Sequence, residues 1–196
     1  MATTPTTTFT GSVFLGMSVD GFIARLDHDL SWLTGGTDTD GGHTSDTGGE
    51  PDDGAGGDFG FGEFVAGVDA LVMGRSTYEV IAPMTEWPYQ GRPVHVLSTT
   101  LEPGADDRIT VHRSFDEAVQ ALTDAGYRRV YVDGGRTVHR FLAAGLIGDL
   151  TLSRVPVLIG TGHTPFGELP ADVPLEHEQT RSYPGGMVQS TYRVRR

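Results

Sequence analysis

The sequence predicts an α/β fold, with a mostly parallel sheet, flanking helices and an antiparallel hairpin at the C-terminal end. Three observations predict it. Short apolar runs of strand length alternate with segments of helical periodicity along most of the chain. Glycines follow several of these runs, as expected where a strand turns into a helix. The last two strand-like segments flank Pro184, Gly185 and Gly186, which are typical turn residues.

The elements follow in chain order from these patterns. The apolar or alternating runs predict strands over 9–17, 70–73, 93–97, 108–112, 129–132, 149–155, 173–181 and 187–194. Helical spacing or a helix-start junction predicts helices over 59–66, from about 76, over 115–125 and over 138–144. The third helix places Ala118, Val119 and Leu122 on one side. Gly126 and Gly145 are the expected stops of the last two helices.

Composition limits the function. The 196 residues carry a net charge of −12, with no cysteine, and all 14 basic residues are arginine. Disulfides, thiolate zinc sites and cysteine nucleophiles are therefore excluded. The chain also lacks the basic surface expected of a nucleic-acid-binding protein.

The acidic charge is concentrated in one part of the chain. Between Arg25 and Arg75 there are 11 acids and no basic residue, whereas the rest has 15 acids against 14 arginines. Residues 35–60 contain 10 glycines and 7 acids, a composition that cannot bury a core. We predict one domain over 1–196 that contains a flexible Gly/Asp-rich insertion at 35–58.

The chain shows no targeting or membrane signal. Residues 1–10 lack a basic segment, and no run approaches the roughly 20 apolar residues of a spanning helix. We expect a cytoplasmic protein that acts on a small molecule, without nucleic-acid or membrane partners.

Three strand ends can carry chemistry, because ligands of such sheets bind beyond the carboxyl ends of the strands. The first is Gly74, Arg75, Ser76 and Thr77, where a helix start and an arginine suit a phosphate. The alternative is an ordinary capped helix with an exposed arginine.

The other two strand ends also leave alternatives open. Gly134 and Gly135 let a backbone approach a ligand closely, or form a tight turn that needs positive φ. Ser98 and Thr99 offer hydroxyls to a phosphate, or cap the following turn.

Asp20, Asp58 and Asp133 adjoin such junctions and are candidates for proton transfer, although carboxylates there are more often caps. The seven histidines include no pair with the i, i+4 spacing of a helical metal site, and we predict no metal.

Taken in order, the motifs resemble the dihydrofolate reductase superfamily. The similarity is greatest to stand-alone members that look like the reductase half of bacterial riboflavin-biosynthesis deaminase-reductases. The motifs are S-V-D-G-F-I-A (18–24), L-S-W (30–32), V-M-G-R-S-T-Y-E (72–79), V-L-S-T-T (96–100), V-D-G-G-R-T-V (132–138) and L-S-R-V-P-V-L-I-G-T-G (152–162), followed by the terminal hairpin.

The resemblance implies an eight-stranded sheet, bound NADPH and a homodimer. The residues that match cofactor-contacting positions are Gly16, Ile23, Gly74, Arg75, Ser76, Thr77, Leu97, Ser98, Thr99, Gly134, Gly135, Arg136, Thr137 and Val138. In the family the Gly-Gly turn often contains a cis peptide. Gly16 and Ile23 match positions beside the nicotinamide, and 19–24 with Trp32 match the mobile loop that covers it.

The catalytic candidates are Asp58, Trp32 and Asp20. Spacing back from the M-G-R motif places Asp58 where folate reductases carry an acid that contacts the pterin. We expect the chain to depart from the riboflavin enzymes in lacking a deaminase domain, and, because it contains no lysine, we expect any substrate phosphate to be bound by arginine.

These features predict an NADPH-dependent reductase that transfers hydride to a small pterin- or pyrimidine-like heterocycle, or to a related carbonyl or imine. Two alternatives are a riboflavin-type ribosylaminopyrimidine reductase and a non-catalytic NADPH-binding protein.

Overall fold

A computed structural model describes residues 7–33, 58–89 and 91–195, so the predicted insertion at 35–58 lies outside the described residues except for Asp58. In chain order the elements are β1 (Thr10–Ser18), α1 (Phe61–Ala66), β2 (Ala70–Gly74), α2 (Arg75–Ile81), β3 (Val94–Leu97), β4 (Ile109–His112), α3 (Phe115–Asp124), β5 (Arg129–Asp133), α4 (Gly135–Ala143), β6 (Ile147–Val155), β7 (Leu175–Ser182) and β8 (Val188–Val194).

The strands form one eight-stranded sheet in the order β4-β3-β2-β5-β1-β6-β8-β7. Neighbouring strands from β4 to β6 are parallel, whereas β8 is antiparallel to both β6 and β7. The predicted α/β fold, eight-stranded sheet and C-terminal hairpin are therefore confirmed. The main shift in bounds is at α4, which begins at Gly135, three residues before the predicted start.

The sheet carries a core on each face because successive strand side chains point to opposite sides. In β2, Val72 packs into the core that α3 and α4 cover, whereas Leu71 and Met73 pack into the core that α1 and α2 cover. Phe141 of α4 is completely buried in the first core. Burying a side chain of this size stabilises the fold by about 1.5–3 kcal/mol.

The hairpin closes as the turn residues predict. The Tyr183 amide donates to the Met187 carbonyl at 2.9 Å, and Gly185 and Gly186 both have φ of 85°. Glycine adopts this left-handed conformation without the steric cost that a side chain would add.

None of the helices in the described ranges is long and apolar enough to cross a membrane.

The parallel register aligns the carboxyl ends of the central strands. Gly74 lies opposite Leu97, Met73 opposite Asp133, and Gly16 opposite Ser153. We call this line of strand ends the carboxyl edge of the sheet. It brings together residues from five separate strands of the chain.

Candidate active site

Two strand-to-helix junctions, at Gly74 before α2 and at Gly134 before α4, pack against each other at the carboxyl edge, and we call them the interlocked glycine junctions. Gly134 has φ of 84°, and a Cβ atom there would collide with Thr77 Oγ1. In return, Thr137 Oγ1 lies 3.3 Å from the position that a Cβ of Gly74 would take. The start of α2 and the start of α4 thus fit against each other, and the strand ends present backbone without intervening side chains.

Two predictions for the second junction need correction. All peptide bonds of the described ranges are trans, so the cis junction seen in the family is absent here. Val138 is completely buried in the core below the junction, and its amide donates to the Gly134 carbonyl at 2.9 Å. Its side chain is therefore not placed to contact a ligand. Thr137 is also buried, and it packs on Gly74.

The helices that start at this edge leave amide groups without side-chain caps. Neither Gly74, before α2, nor Gly134, before α4, supplies a capping side chain. In contrast, Ser114 caps α3 by accepting a hydrogen bond from Glu117 N at 3.1 Å. Free first-turn amides favour a negatively charged ligand group.

Arg75 stands at the start of α2, exposed, with Ser76 and Thr77 half-buried beside it. Its guanidinium is 2.8 Å from a Glu79 carboxylate oxygen. An exposed i, i+4 ion pair of this kind is worth only about 0.3–0.5 kcal/mol. It can therefore give way to a phosphate. Arg136 is also exposed, in the first turn of α4.

At the end of β3, the Ser98 hydroxyl caps the turn that follows the strand. Ser98 Oγ accepts hydrogen bonds from Thr100 N at 3.2 Å and Leu101 N at 2.8 Å. Thr99 is exposed and Leu97 is half-buried against the core. The Ser98 hydroxyl keeps its proton available as a donor.

Sequence reasoning missed Arg113, which follows the neighbouring strand β4. Its guanidinium donates to the Ser98 carbonyl at 3.2 Å, and its side chain is exposed. The signal was present, since Arg113 occupies the same strand-end position as the residues that were selected. It places a second cation near the end of β3.

A loop over 19–33 crosses the carboxyl edge, and we call it the covering loop. A Cβ on Gly135 would lie 3.2 Å from Ile23 Cδ1, and one on Gly16 would collide with Leu33 Cδ1 at 2.6 Å. Trp32 is half-buried, and its Nε1 atom has no hydrogen-bond partner among the described residues. A buried indole N–H usually finds an acceptor.

Asp58 occupies a capping position. Its two carboxylate oxygens accept hydrogen bonds from Gly60 N at 2.8 Å and Gly62 N at 2.7 Å. The carboxylate thereby holds the turn that leads into α1, and its side chain is exposed. The catalytic role stays a prediction, and the geometry favours the structural alternative.

Asp20 is also exposed and held by amides. Its oxygens accept from Gly160 N at 2.8 Å and Ile159 N at 3.3 Å. Hydrogen bonding from the Ser18 hydroxyl and from these amides holds its pKa below the ordinary value. A carboxylate in this state is a poor proton donor at neutral pH.

Asp133 differs from Asp58 and Asp20 because its carboxyl group has a raised pKa. It ends the central strand β5, directly before Gly134, whose amide donates to its Oδ1 at 2.7 Å. Burial raises its pKa to about 6. The neighbouring Tyr131 is buried and donates its hydroxyl to the Phe14 carbonyl at 2.9 Å. Asp133 thus combines a place at the edge with a proton available near neutral pH.

Two open cavities lie away from the interlocked glycines. One of about 840 Å³ lies over β6 and β8 and is lined by charged residues, including Arg193 and Glu176, which already pair at 3.0 Å. The other, of about 470 Å³, lies beside α1 and reaches Phe14 and Phe59. Neither lining contains Asp20, Asp58, Asp133 or Trp32.

Comparison with known proteins gives consistent matches. The sequence model of the RibD C-terminal domain family matches residues 10–189. The uncharacterized protein YwjB of Bacillus subtilis is 27% identical over 186 residues, which cover 92% of this chain and 95% of that protein.

Two solved structures resemble the fold. A Shewanella sp. PV-4 protein named for riboflavin biosynthesis has a TM-score of 0.76 and 30% identity, with 96% of this chain and 100% of that chain covered. A pyrimidine reductase-like protein of Corynebacterium diphtheriae has a TM-score of 0.62 and 14% identity, with 95% and 92% covered. The second likeness concerns the fold alone.

Proposed function

Because this chain belongs to the RibD C-terminal domain family, we propose that it is a reductase that uses NADPH to reduce a small heterocycle, pyrimidine- or pterin-like, or a related carbonyl or imine. The observation that carries the proposal is the interlocked pair of glycine junctions at the carboxyl edge. It offers side-chain-free backbone beside uncapped helix starts, which suits a dinucleotide.

The residues present fit the phosphates of NADPH. The uncapped starts of α2 and α4 offer amide donors, and Arg75 and Arg136 stand exposed beside them. Ser98 and Arg113 lie together at the end of β3 and can receive the additional phosphate that distinguishes NADPH from NADH. NADPH, when bound, supplies the hydride.

The covering loop supplies the wall that excludes water. Ile23 packs against Gly135, and Leu33 packs against Gly16, so both flank the end of β1 and the turn after β5. The Trp32 indole N–H has no hydrogen-bond partner within residues 7–33, 58–89 and 91–195, and it can donate to a polar group of the ligand. A reducing site needs such closure because water competes with the reacting groups.

We assign proton donation to Asp133 in preference to Asp58 and Asp20. Its pKa of about 6 keeps part of the population protonated near neutral pH, whereas the pKa of Asp20 is lowered. A general acid works best when its pKa lies near the working pH. Reduction of a C=N or C=O group needs one proton as well as the hydride.

A titration with NADPH, monitored by the fluorescence of Trp32 and Trp87, tests whether the protein binds this cofactor. We expect saturation at micromolar concentration, a usual range for substrates and cofactors. Absence of binding at millimolar NADPH contradicts the proposal. Oxidation of NADPH at 340 nm with a panel of pyrimidines, dihydropterins, imines and carbonyls then tests turnover.

A second candidate is a ribosylaminopyrimidine reductase of the riboflavin type. The family match favours it, as does the Shewanella protein named for riboflavin biosynthesis. Turnover of the ribosylaminopyrimidine well above that of every other panel member selects this candidate. NADPH binding without any turnover instead identifies a non-catalytic binding protein.

A further inference from the structure

The covering loop is fastened to a second segment, 156–163, that follows β6. The Val19 amide donates to the Val157 carbonyl at 2.8 Å. Farther along, the Ile23 amide donates to the His163 carbonyl at 2.8 Å. The His163 amide donates to the Ala24 carbonyl at 2.8 Å, which completes a short antiparallel bridge.

Between these two backbone contacts the connection is made by a side chain. The Asp20 carboxylate reaches across to the amides of Gly160 and Ile159, at 2.8 Å and 3.3 Å. Gly160 has φ of 80°, a conformation that a residue with a side chain rarely adopts. The Ser18 hydroxyl hydrogen-bonds to the Asp20 carboxylate, and the Ser18 Oγ also accepts from Phe22 N at 3.0 Å.

The fastened loop also meets the turn after β5. A Cβ on Gly162 would collide with the Ala24 carbonyl, and one on Gly135 would collide with the Thr164 carbonyl. The covering loop, segment 156–163 with Thr164, and the Gly134–Gly135 turn are therefore in contact pairwise. Ile23 is therefore held between segment 156–163 and the turn after β5.

We propose that Asp20 is a positioning residue, whose carboxylate holds the covering loop in the conformation that places Ile23 beside Gly135. It acts through the amides of Gly160 and Ile159 and does not transfer a proton. The proposal rests on the proposed function, because it takes the carboxyl edge as the place of reduction.

The chain contains a matched control. Asp69 also accepts hydrogen bonds from two successive backbone amides, those of Arg128 and Arg129, at 2.8 Å and 2.9 Å. These amides lower its pKa, as those at Asp20 do. However, Asp69 lies just before β2 and beside the start of β5, at the opposite edge of the sheet. Loss of its hydrogen bonds affects the fold without reaching the covering loop.

Trypsin reports the state of the covering loop directly. Arg25 lies in the loop, and no arginine or lysine follows it until Arg75. Cleavage after Arg25 therefore gives a fragment that is easily recognised by mass. We expect Asp20→Ala to accelerate this cleavage about tenfold. Asp20→Asn retains one acceptor, so its cleavage rate should lie between those of wild type and Asp20→Ala. Asp69→Asn should leave the rate near that of the wild type.

Kinetics complete the test. Asp20→Ala should lower kcat about tenfold, and Asp20→Asn should lower it less, in parallel with the loss of fastening; both should leave the shape of the pH–rate profile unchanged. Asp69→Asn should lower Tm at least as much as Asp20→Asn does, but it should retain the kcat of the wild type. Equal cleavage rates in wild type and Asp20→Ala, or equal losses of kcat in Asp20→Asn and Asp69→Asn, overturn the proposal. A wild type without turnover contradicts the proposed function alone, and the cleavage comparison still decides whether Asp20 fastens the loop.

Discussion

The raised pKa of Asp133 predicts a stability that falls as the pH rises. In the unfolded chain the carboxyl has its ordinary pKa of 3.8, whereas in the folded protein burial raises the pKa to about 6. Below pH 3.8 both states are protonated, and between the two values only the unfolded state loses its proton. The unfolding free energy therefore decreases through this window, by about 1.4 kcal/mol for each unit of pKa difference.

The magnitude follows from the same two values. Complete ionisation costs about 3 kcal/mol, and the part lost between about pH 4.5 and pH 7.5 is about 2 kcal/mol. Asp133→Asn keeps a polar side chain of similar size but cannot ionise. Relative to wild type, this variant should gain about 2 kcal/mol over that range.

Urea unfolding of both proteins at several pH values provides the measurement. The difference between the two unfolding free energies isolates Asp133, because the other titrating groups are common to both. A difference that stays constant with pH refutes the reasoning, and so does a relative gain of the wild type at high pH. The pH–rate profile adds a functional test, since a proton donor makes kcat fall above about pH 6.

Three further changes have defined outcomes. Arg113→Ala should weaken NADPH about 10- to 100-fold and NADH less, because charge-assisted contacts to the additional phosphate are lost; equal losses in a fluorescence titration argue against a role in NADPH selection. Gly134→Ala should cost about 1–3 kcal/mol of stability, through positive φ and a collision. Gly145→Ala is the control, because Gly145 has φ of 69° and open space around it, and this change should cost only about 1 kcal/mol in urea unfolding. A similar cost at both sites excludes a contribution from the collision with Thr77 at Gly134. Burial lowers the pKa of His95 to about 4 from 6.5, so the contribution of His95 to the unfolding free energy should fall by about 3 kcal/mol as the pH falls through this range, opposite in sign to the contribution of Asp133. His95→Gln should remove this contribution, so that wild type loses stability relative to the variant as the pH falls from about 6.5 to about 4; parallel curves for the two proteins contradict the prediction.

Local pattern predicted the elements because each strand or helix leaves a signature within a few residues. The apolar run ending at Gly74 and the pair Gly134–Gly135 marked two junctions that the structure does bring together. Their mutual fit depends on Thr77 and Thr137. That fit belongs to the tertiary packing, and neither threonine reveals it alone.

The roles of the acids could not be separated in the same way. Asp20, Asp58 and Asp133 are one residue type at similar junctions, and only their surroundings distinguish them. Amides satisfy the first two, whereas burial dominates at the third. Burial depends on elements distant in sequence, and a pattern of neighbouring residues does not report it.

The strand order has a consequence for how the chain is made. The hairpin enters the sheet through β8, the last strand, and β7 is hydrogen-bonded to β8 alone among the named strands. During synthesis, β7 therefore emerges before the strand that will hold it, and it must wait unpaired until residue 194 is available. A ribosome that stalls within β8 leaves β6 as an uncovered edge, which is prone to pair with another nascent chain. The completion of the sheet is thus delayed until β8 has been synthesised.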